Sequence, residues 1–213
     1  AMVEVALSQW GRIDILINNA GILRDRSFGK MTVEDWLPVV DVHLNGSANC
    51  TMAVWSHMKE RGYGRILMTT STSGLYGNFG QANYGAAKLG LVGLMNTLVM
   101  EGARNGIRVN CIAPTAGTRM TEDILPSEVA SMLDPAFVTP AALFLVGEDA
   151  PNRTIMLAGA GCFSIAEIRE SEGIFIPHAD RSPETIAAQF ENIGNMSSSH
   201  RYREGREHVA KIL

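Results

Sequence analysis

The sequence is poor in the features that mark secreted, membrane or nucleic-acid-binding chains. Cysteine is scarce: Cys50, Cys111 and Cys162 are far apart and odd in number. That argues against a disulfide framework or a cysteine-based zinc site, and predicts buried thiols in a reducing compartment. No apolar run reaches the ~18 residues needed to span a bilayer, so no membrane partner is expected. No basic, apolar leader opens the chain, so no signal peptide is expected and the setting is read as cytoplasmic. Lys and Arg number 18 against 22 Asp and Glu, with a formal net charge of −4 and no basic block. A nucleic-acid partner needs a phosphate-neutralising surface, and none is read here. His43, His57, His178, His200 and His208 show no metal-ligand spacing, so no metal is expected. The glycosylation patterns at Asn49, Asn152 and Asn195 carry no weight without secretion.

What the sequence does have is alternation. Residues 3–10 end an amphipathic helix that Gly11 stops. Ile13–Ile17 is a short apolar run ending in Asn18-Asn19-Ala20-Gly21, which reads as a buried parallel strand with a turn at its carboxyl end. Thr32 with Asp35 reads as a capping box opening a helix through about Leu44. A longer helix follows over Asn45–Arg61. Arg65–Thr70 is the next strand, Ser71–Asn83 a Gly- and Ser-rich loop, and Tyr84–Asn105 a helix stopped by Gly106. Ile107–Ile112 is a third strand ending at Pro114. Thr115–Pro135 is irregular, with a short helix near Glu128–Met132. Pro140–Gly147 is a helix and Arg153–Leu157 a fourth strand. This order implies an α/β fold, a parallel sheet with helices on both faces. From Phe163 the pattern changes. Two short strands are expected within Ile165–Ile176, a helix over Pro183–Ile193, a loop over Asn195–His200 and a last helix over Arg203–Leu213. The expected organisation is one domain over 1–162 with an appendage, 163–213, packed on it.

Tyr84 and Lys88 stand four apart at the start of a helix, which puts both side chains on one face, about 5–6 Å apart at Cβ. An ammonium beside a phenol favours the phenolate, so the pair is expected to lower the Tyr84 pKa. Such a phenol exchanges a proton with an alcohol or ketone. Alone, the pair is common on solvated helix surfaces. Upstream, the strand end Thr69-Thr70-Ser71-Thr72-Ser73 sits where open α/β sheets bind ligands. Ser71 is placed to hydrogen-bond a substrate oxygen; Ser73 is its rival, and a turn-forming serine is the bland alternative.

These residues resemble the short-chain dehydrogenase/reductase family at four places. Asn18-Asn19-Ala20-Gly21 is similar to its strand-four motif, Ser71 to its catalytic serine, Tyr84-Gly85-Ala86-Ala87-Lys88 to its Tyr-x-x-x-Lys motif, and Asn110-Cys111-Ile112-Ala113-Pro114 to its Asn-x-x-x-Pro. Stretches 21–28, 74–84 and 114–121 further resemble its branch of (3R)-hydroxyacyl-CoA dehydrogenase domains from multifunctional enzymes of type 2. The resemblance implies a Rossmann-type fold and a nicotinamide cofactor, NAD with NADP possible. It implies oxidation of a small-molecule substrate, a (3R)-hydroxyacyl-CoA, to the 3-ketoacyl-CoA. It also implies a peroxisomal address in a eukaryote. Ser71, Tyr84 and Lys88 would be catalytic; Asn18, Asn19, Ala20, Gly21, Pro114, Ala116, Gly117, Thr118 and Arg119 would join Tyr84 and Lys88 at the cofactor. His43 stands where many members have a proton-relay asparagine; a structural histidine is the alternative, and Asn45 a rival for the asparagine role.

The family's glycine turn after a first strand is not among these residues, nor is the acidic residue that holds the adenosine ribose. The expectation is therefore that the N-terminal strands of the nucleotide half are missing, which leaves the Ile13–Ile17 strand as an apolar open edge. Two other functions stay open: a 3-ketoacyl carrier-protein reductase, and a catalytically dead Rossmann fragment acting as a binding or oligomerisation module. Apolar excess on helices 45–61 and 84–105 suggests a homodimer or tetramer, or burial under the appendage. Met95, Met100, Met120 and Met132 read as core or interface. Arg24, Arg26 and Lys30 read as contacts for coenzyme A phosphates or as a solvated loop.

Overall fold

The structure, a computed structural model, describes residues 1–117 and 132–213. Its centre is set by two apolar runs too dense for one-sided strands. β2 (Gly64–Thr69) is buried at every position, and β3 (Ile107–Pro114) at all but Arg108 and Pro114. Strands buried on both faces belong in a parallel sheet covered by helices on each side. β1 (Ile15–Asn18), β2, β3 and β4 (Ile155–Gly159) are parallel neighbours. β5 (Cys162–Ala166) returns antiparallel to β4, giving the order β1-β2-β3-β4-β5 among the described residues.

Strand alternation sorts the core into two layers. On one face Ile66, Met68, Val109 and Cys111 meet Val54 and Met58 of α3 (Gly46–Arg61) and Leu91, Val92 and Met95 of α5 (Ala82–Gly102). On the other, Leu67 and Ile112 meet Ala141, Leu145 and Val146 of α6 (Thr139–Val146). This is the expected Rossmann-type α/β arrangement. β1 pairs only with β2 among the described residues; its Leu16 is buried while Ile15 and Ile17 are nearly half exposed.

Local signals set the bounds of the first helices. α1 (Met2–Trp10) ends at Gly11 in the left-handed region. α2 (Val33–Val40) opens on the expected Thr32–Asp35 capping box, both halves formed. It does not continue as an α-helix to Leu44: Asp41–Asn45 is a π-helical turn joining α2 to α3. The wider turn shifts the helical phase, and His43 within it is buried.

The Ser71–Asn83 stretch, expected as loop, contains the short helix α4 (Thr72–Tyr76), capped by the Ser71 hydroxyl, which accepts from Ser73 N at 3.1 Å. α4 lies close on α5: a Cβ on Gly74 would sit 2.9 Å from Lys88 Cβ, so only glycine fits there.

The two strands expected in Ile165–Ile176 do not form. Ala160 and Gly161 both take positive φ, 49° and 77°, making a two-residue turn that reverses β4 early and starts β5 at Cys162. Beyond Ala166, pairing is limited to an isolated bridge between Glu170 and His200. The expected burial of all three thiols also fails: Cys111 is buried, Cys50 half-buried and Cys162 exposed. Of the methionines, Met95 is core, whereas Met100 and Met132 are exposed; Met120 lies outside the described residues. So does most of the helix expected near Glu128–Met132.

The chain divides into two units, Ala1–Ala166 and Glu167–Leu213. In the second, the helix expected over Pro183–Ile193 breaks at Gln189 into α7 (Pro183–Ala188) and α8 (Phe190–Ile193). Glu170 is its hub, accepting from Lys211 Nζ at 3.0 Å and paired with His208 Nδ1 at 2.9 Å, which fastens α9 (Gly205–Ile212).

Candidate active site

The chain segments that follow β1, β2 and β3 lead from the carboxyl ends of neighbouring parallel strands, where α/β folds bind ligands. Ser71 lies two residues beyond β2, and α5 brings Tyr84 close enough for the Ser71 hydroxyl to act on the phenol's pKa. Ser73, the rival, is committed elsewhere, its Oγ donating to Gln81 Oε1 at 2.8 Å.

One turn along α5 from Tyr84, Lys88 is only 3% exposed. Its Nζ donates to Thr69 O at 2.5 Å and lies 5.4 Å from the centroid of the Tyr84 ring. Burial pushes its pKa down from 10.5 to about 8, because the ammonium has lost its water. The Tyr84 phenol does not show the expected lowering. Burial raises its pKa, the nearby Ser71 hydroxyl partly offsets that, and the Asp25 carboxylate adds to it. Lys88 is not among the groups that shift the phenol; its ammonium is turned to the Thr69 carbonyl. Tyr84 therefore stands as a neutral phenol at neutral pH, able to give a proton.

His43 meets Tyr84 edge-on, with ring centroids 5.0 Å apart. Its Nε2 lies 2.8 Å from Ile22 O and 3.1 Å from Ile22 N. Nδ1 is buried without a partner among the described residues. Burial, helped by the Lys88 charge, lowers its pKa to about 4, so the imidazole is neutral near pH 7. Gly21 lies under this ring: a Cβ there would overlap His43 Cε1. Asn45, the other contender, is exposed, and its amide is spent on Asp41 Oδ1 at 2.7 Å.

The expected cofactor residues divide. Asn19, Ala20 and Gly21 are exposed beyond the end of β1, while Ala116 and Gly117 are half-buried beyond the end of β3. Asn18 instead points its amide into the fold, at Thr51 Oγ1 and the Met68 sulfur. Asn19 accepts from Thr69 Oγ1 at 3.1 Å, which ties the turn after β1 to the end of β2. Pro114 ends β3. Asn110 of the Asn-x-x-x-Pro is fully buried, its amide donating to Leu145 O and Pro151 O, so that asparagine holds α6 and the approach to β4. Thr118 and Arg119 lie outside the described residues. Arg26 is ion-paired with Asp35 at 3.6 Å.

Two residues escaped the sequence reading. Gln81 takes hydrogen bonds from Ser73 and Asn78 and donates to Asp25 Oδ2 at 2.7 Å. Asn83 is fully buried immediately before Tyr84. The only signal was their place in the three residues preceding the tyrosine.

Residues 1–128 match the model of the short chain dehydrogenase family. The chain is 45% identical over its whole length to peroxisomal multifunctional enzyme type 2 of Mus musculus, covering 29% of that protein. It is 42% identical over 158 residues to an acetoacetyl-CoA reductase of Acinetobacter, which spans 70% of this chain and 64% of that protein. The structure of full-length peroxisomal multifunctional enzyme type 2 from Drosophila melanogaster superposes with a TM-score of 0.85 and 38% identity, over 99% of this chain and 38% of that one. The chain thus spans between 22% and 48% of the length of the multifunctional relatives it matches. With fold, motif order and sequence in agreement, the chain belongs to the short-chain dehydrogenase family of oxidoreductases.

Proposed function

We propose that the protein interconverts a 3-hydroxyacyl-CoA and its 3-ketoacyl-CoA with a nicotinamide cofactor, NAD or NADP. The observation that carries this reading is the gathering of Tyr84 and Lys88 at the carboxyl end of β2, with the buried Lys88 Nζ held by Thr69 O 5.4 Å from the Tyr84 ring and Ser71 close enough to act on the phenol. In the reducing direction, the Tyr84 hydroxyl gives its proton to the carbonyl oxygen of the substrate. The Ser71 hydroxyl donates a hydrogen bond to the same oxygen as negative charge grows on it. Lys88 stabilises the phenolate left behind. In the oxidising direction the same groups act in reverse.

A nicotinamide cofactor, when bound, accepts or supplies the hydride. The residues present suit its ribose and nicotinamide half. Lys88 Nζ has three donors, of which one goes to Thr69 O. The exposed Asn19, Ala20 and Gly21, with Ala116 and Gly117, are at the strand ends where such a ring would lie. In this reading Asn18 and Pro114 shape the floor from beneath, and Thr118 and Arg119 extend it. His43 keeps the relay role as a neutral imidazole: in the tautomer that gives Nε2–H to Ile22 O, Nδ1 is a buried acceptor without a partner among the described residues.

The acyl-CoA assignment is supported by the name of the acetoacetyl-CoA reductase relative. The word peroxisomal in the mouse relative's name supports that compartment should the source be eukaryotic. No described helix is long and apolar enough to cross a membrane. Met52, Leu89 and Met100, exposed on α3 and α5, support a homo-oligomer.

The test is to supply the full-length protein with (3R)-hydroxybutyryl-CoA and either NAD or NADP, and to follow reduced nicotinamide by absorbance. Tyr84→Phe keeps the ring and removes the proton donor, so turnover should fall by roughly 10²–10⁴-fold with cofactor affinity unchanged. Near-normal turnover by that variant removes Tyr84 from the mechanism; no reaction with either cofactor removes the substrate assignment.

A further inference from the structure

Residues 24–26 of the segment after β1 are fastened to the approach of α5, while Ile22 is held by His43 in the π turn. Arg24 O accepts from Asn83 Nδ2 at 3.1 Å. Asp25 Oδ2 accepts from Gln81 Nε2 at 2.7 Å. Arg26 N donates to Gly80 O at 2.8 Å.

Asn83 differs from the other fasteners in where its remaining bonds go. Nδ2 also donates to Asp35 O at 2.9 Å, in the first turn of α2. Oδ1 accepts from the backbone N–H of Tyr84 at 2.8 Å. That N–H lies in the first turn of α5, where helix donors have no partner within the helix. The residue at the N-cap, Gln81, makes no side-chain cap bond, because its amide is spent on Asp25, Ser73 and Asn78. Asn83 is fully buried, with both amide hydrogens and the carbonyl oxygen engaged. Mere filling would be met by leucine, without the cost of burying an amide.

We propose that Asn83 is a positioning residue: it locks segment 22–26, through Arg24 O, and the first turn of α2 to the backbone of Tyr84, so that this segment and the proton-donating phenol hold one registration. The proposal rests on Tyr84 being the proton-transfer group. Asn83 itself touches no substrate, since it has no exposed surface.

The experiment uses the full-length protein and two variants. Asn83→Asp keeps the size and the acceptor for the Tyr84 N–H but removes both donors; Asn83→Ala removes all three bonds. Active sites are counted by titration with whichever of NADH and NADPH supports turnover, and the ketone substrate is acetoacetyl-CoA. Small displacements of reacting groups cost up to about 10²-fold in rate. Both variants should lose roughly 10–10²-fold in kcat/KM per active site, through a raised KM as well as a lowered kcat, with affinity for that cofactor unchanged. A role in folding alone would lower the count of active sites and leave KM and kcat per site intact; that result, or wild-type kinetics, overturns the proposal. Hydrogen exchange gives an arm that needs neither substrate nor variant. In the wild type the amides of residues 22–26 and of Tyr84 should be released in one opening event, and opening at unrelated rates overturns the lock. Near-normal turnover by Tyr84→Phe would sink the proton-donor reading instead, and the exchange arm would still decide the lock.

Discussion

Replacing Lys88 by methionine separates what this lysine does for the fold from what it does for the reaction. Methionine matches the aliphatic stem and carries no charge. Bringing an ammonium from its ordinary 10.5 to about 8 corresponds to roughly 3 kcal/mol of unfavourable burial of the charged form. The folded value lies below the unfolded one, so the unfolded chain binds more protons in between. Stability should therefore rise with pH between about 8 and 10.5, with the full cost present below about 8. Integrating that linkage from pH 7 to 9 gives a gain of roughly 1 kcal/mol for the wild type. Cys111 opposes the trend higher up. Burial raises its thiol from 9.0 to about 12, so the stability it contributes is lost as pH climbs above 9. The comparison is thus made at or below pH 9, as the difference between wild type and Lys88→Met in denaturant unfolding. The variant should lack the gain. At pH 7 relief of the buried charge is partly offset by the lost bond to Thr69 O, itself worth roughly 1.5–3 kcal/mol. The variant should consequently be as stable as the wild type or slightly more so, while turnover drops at least about 10²-fold and cofactor affinity weakens. Parallel pH–stability curves would refute the burial argument. A loss of rate with unchanged cofactor affinity would refute the contact of Lys88 with the cofactor ribose.

Two further outcomes follow from buried groups. Arg65, 4% exposed, donates to the carbonyl oxygens of Gly64, Gly106, Gly147 and Glu148, so Arg65→Met should destabilise by at least about 2 kcal/mol with turnover of the folded molecules unchanged; an unaltered denaturation midpoint would contradict this. Gly21→Ala should cost about 1–3 kcal/mol by forcing a methyl into the His43 ring. That cost should vanish in a background of His43→Ala, and additive losses would show that the clash is not the cause.

The parts legible in the sequence were those encoded within a few residues of one another. The capping box at Thr32 and Asp35, the continuous apolar runs of β2 and β3, and the one-face spacing of Tyr84 and Lys88 depend on helical or strand geometry alone. They sufficed for the α/β order and for the cluster of Ser71, Tyr84 and Lys88. Tertiary structure decided what depends on partners distant in the chain. Ser71 rather than Ser73 acts on Tyr84, and the rival hydroxyl is taken by Gln81, eight residues beyond Ser73. His43 rather than Asn45 enters the site because a π turn, which no short pattern announced, changes the helical phase. The Tyr84 pKa goes up because burial is a property of the assembled core, and four-residue spacing says nothing about where the ammonium turns. Asn83 shows the division most plainly. Its place before Tyr84 is local, but its partners at Arg24 and Asp35 lie 59 and 48 residues away, and an amide becomes a lock only when the fold brings those carbonyls to it.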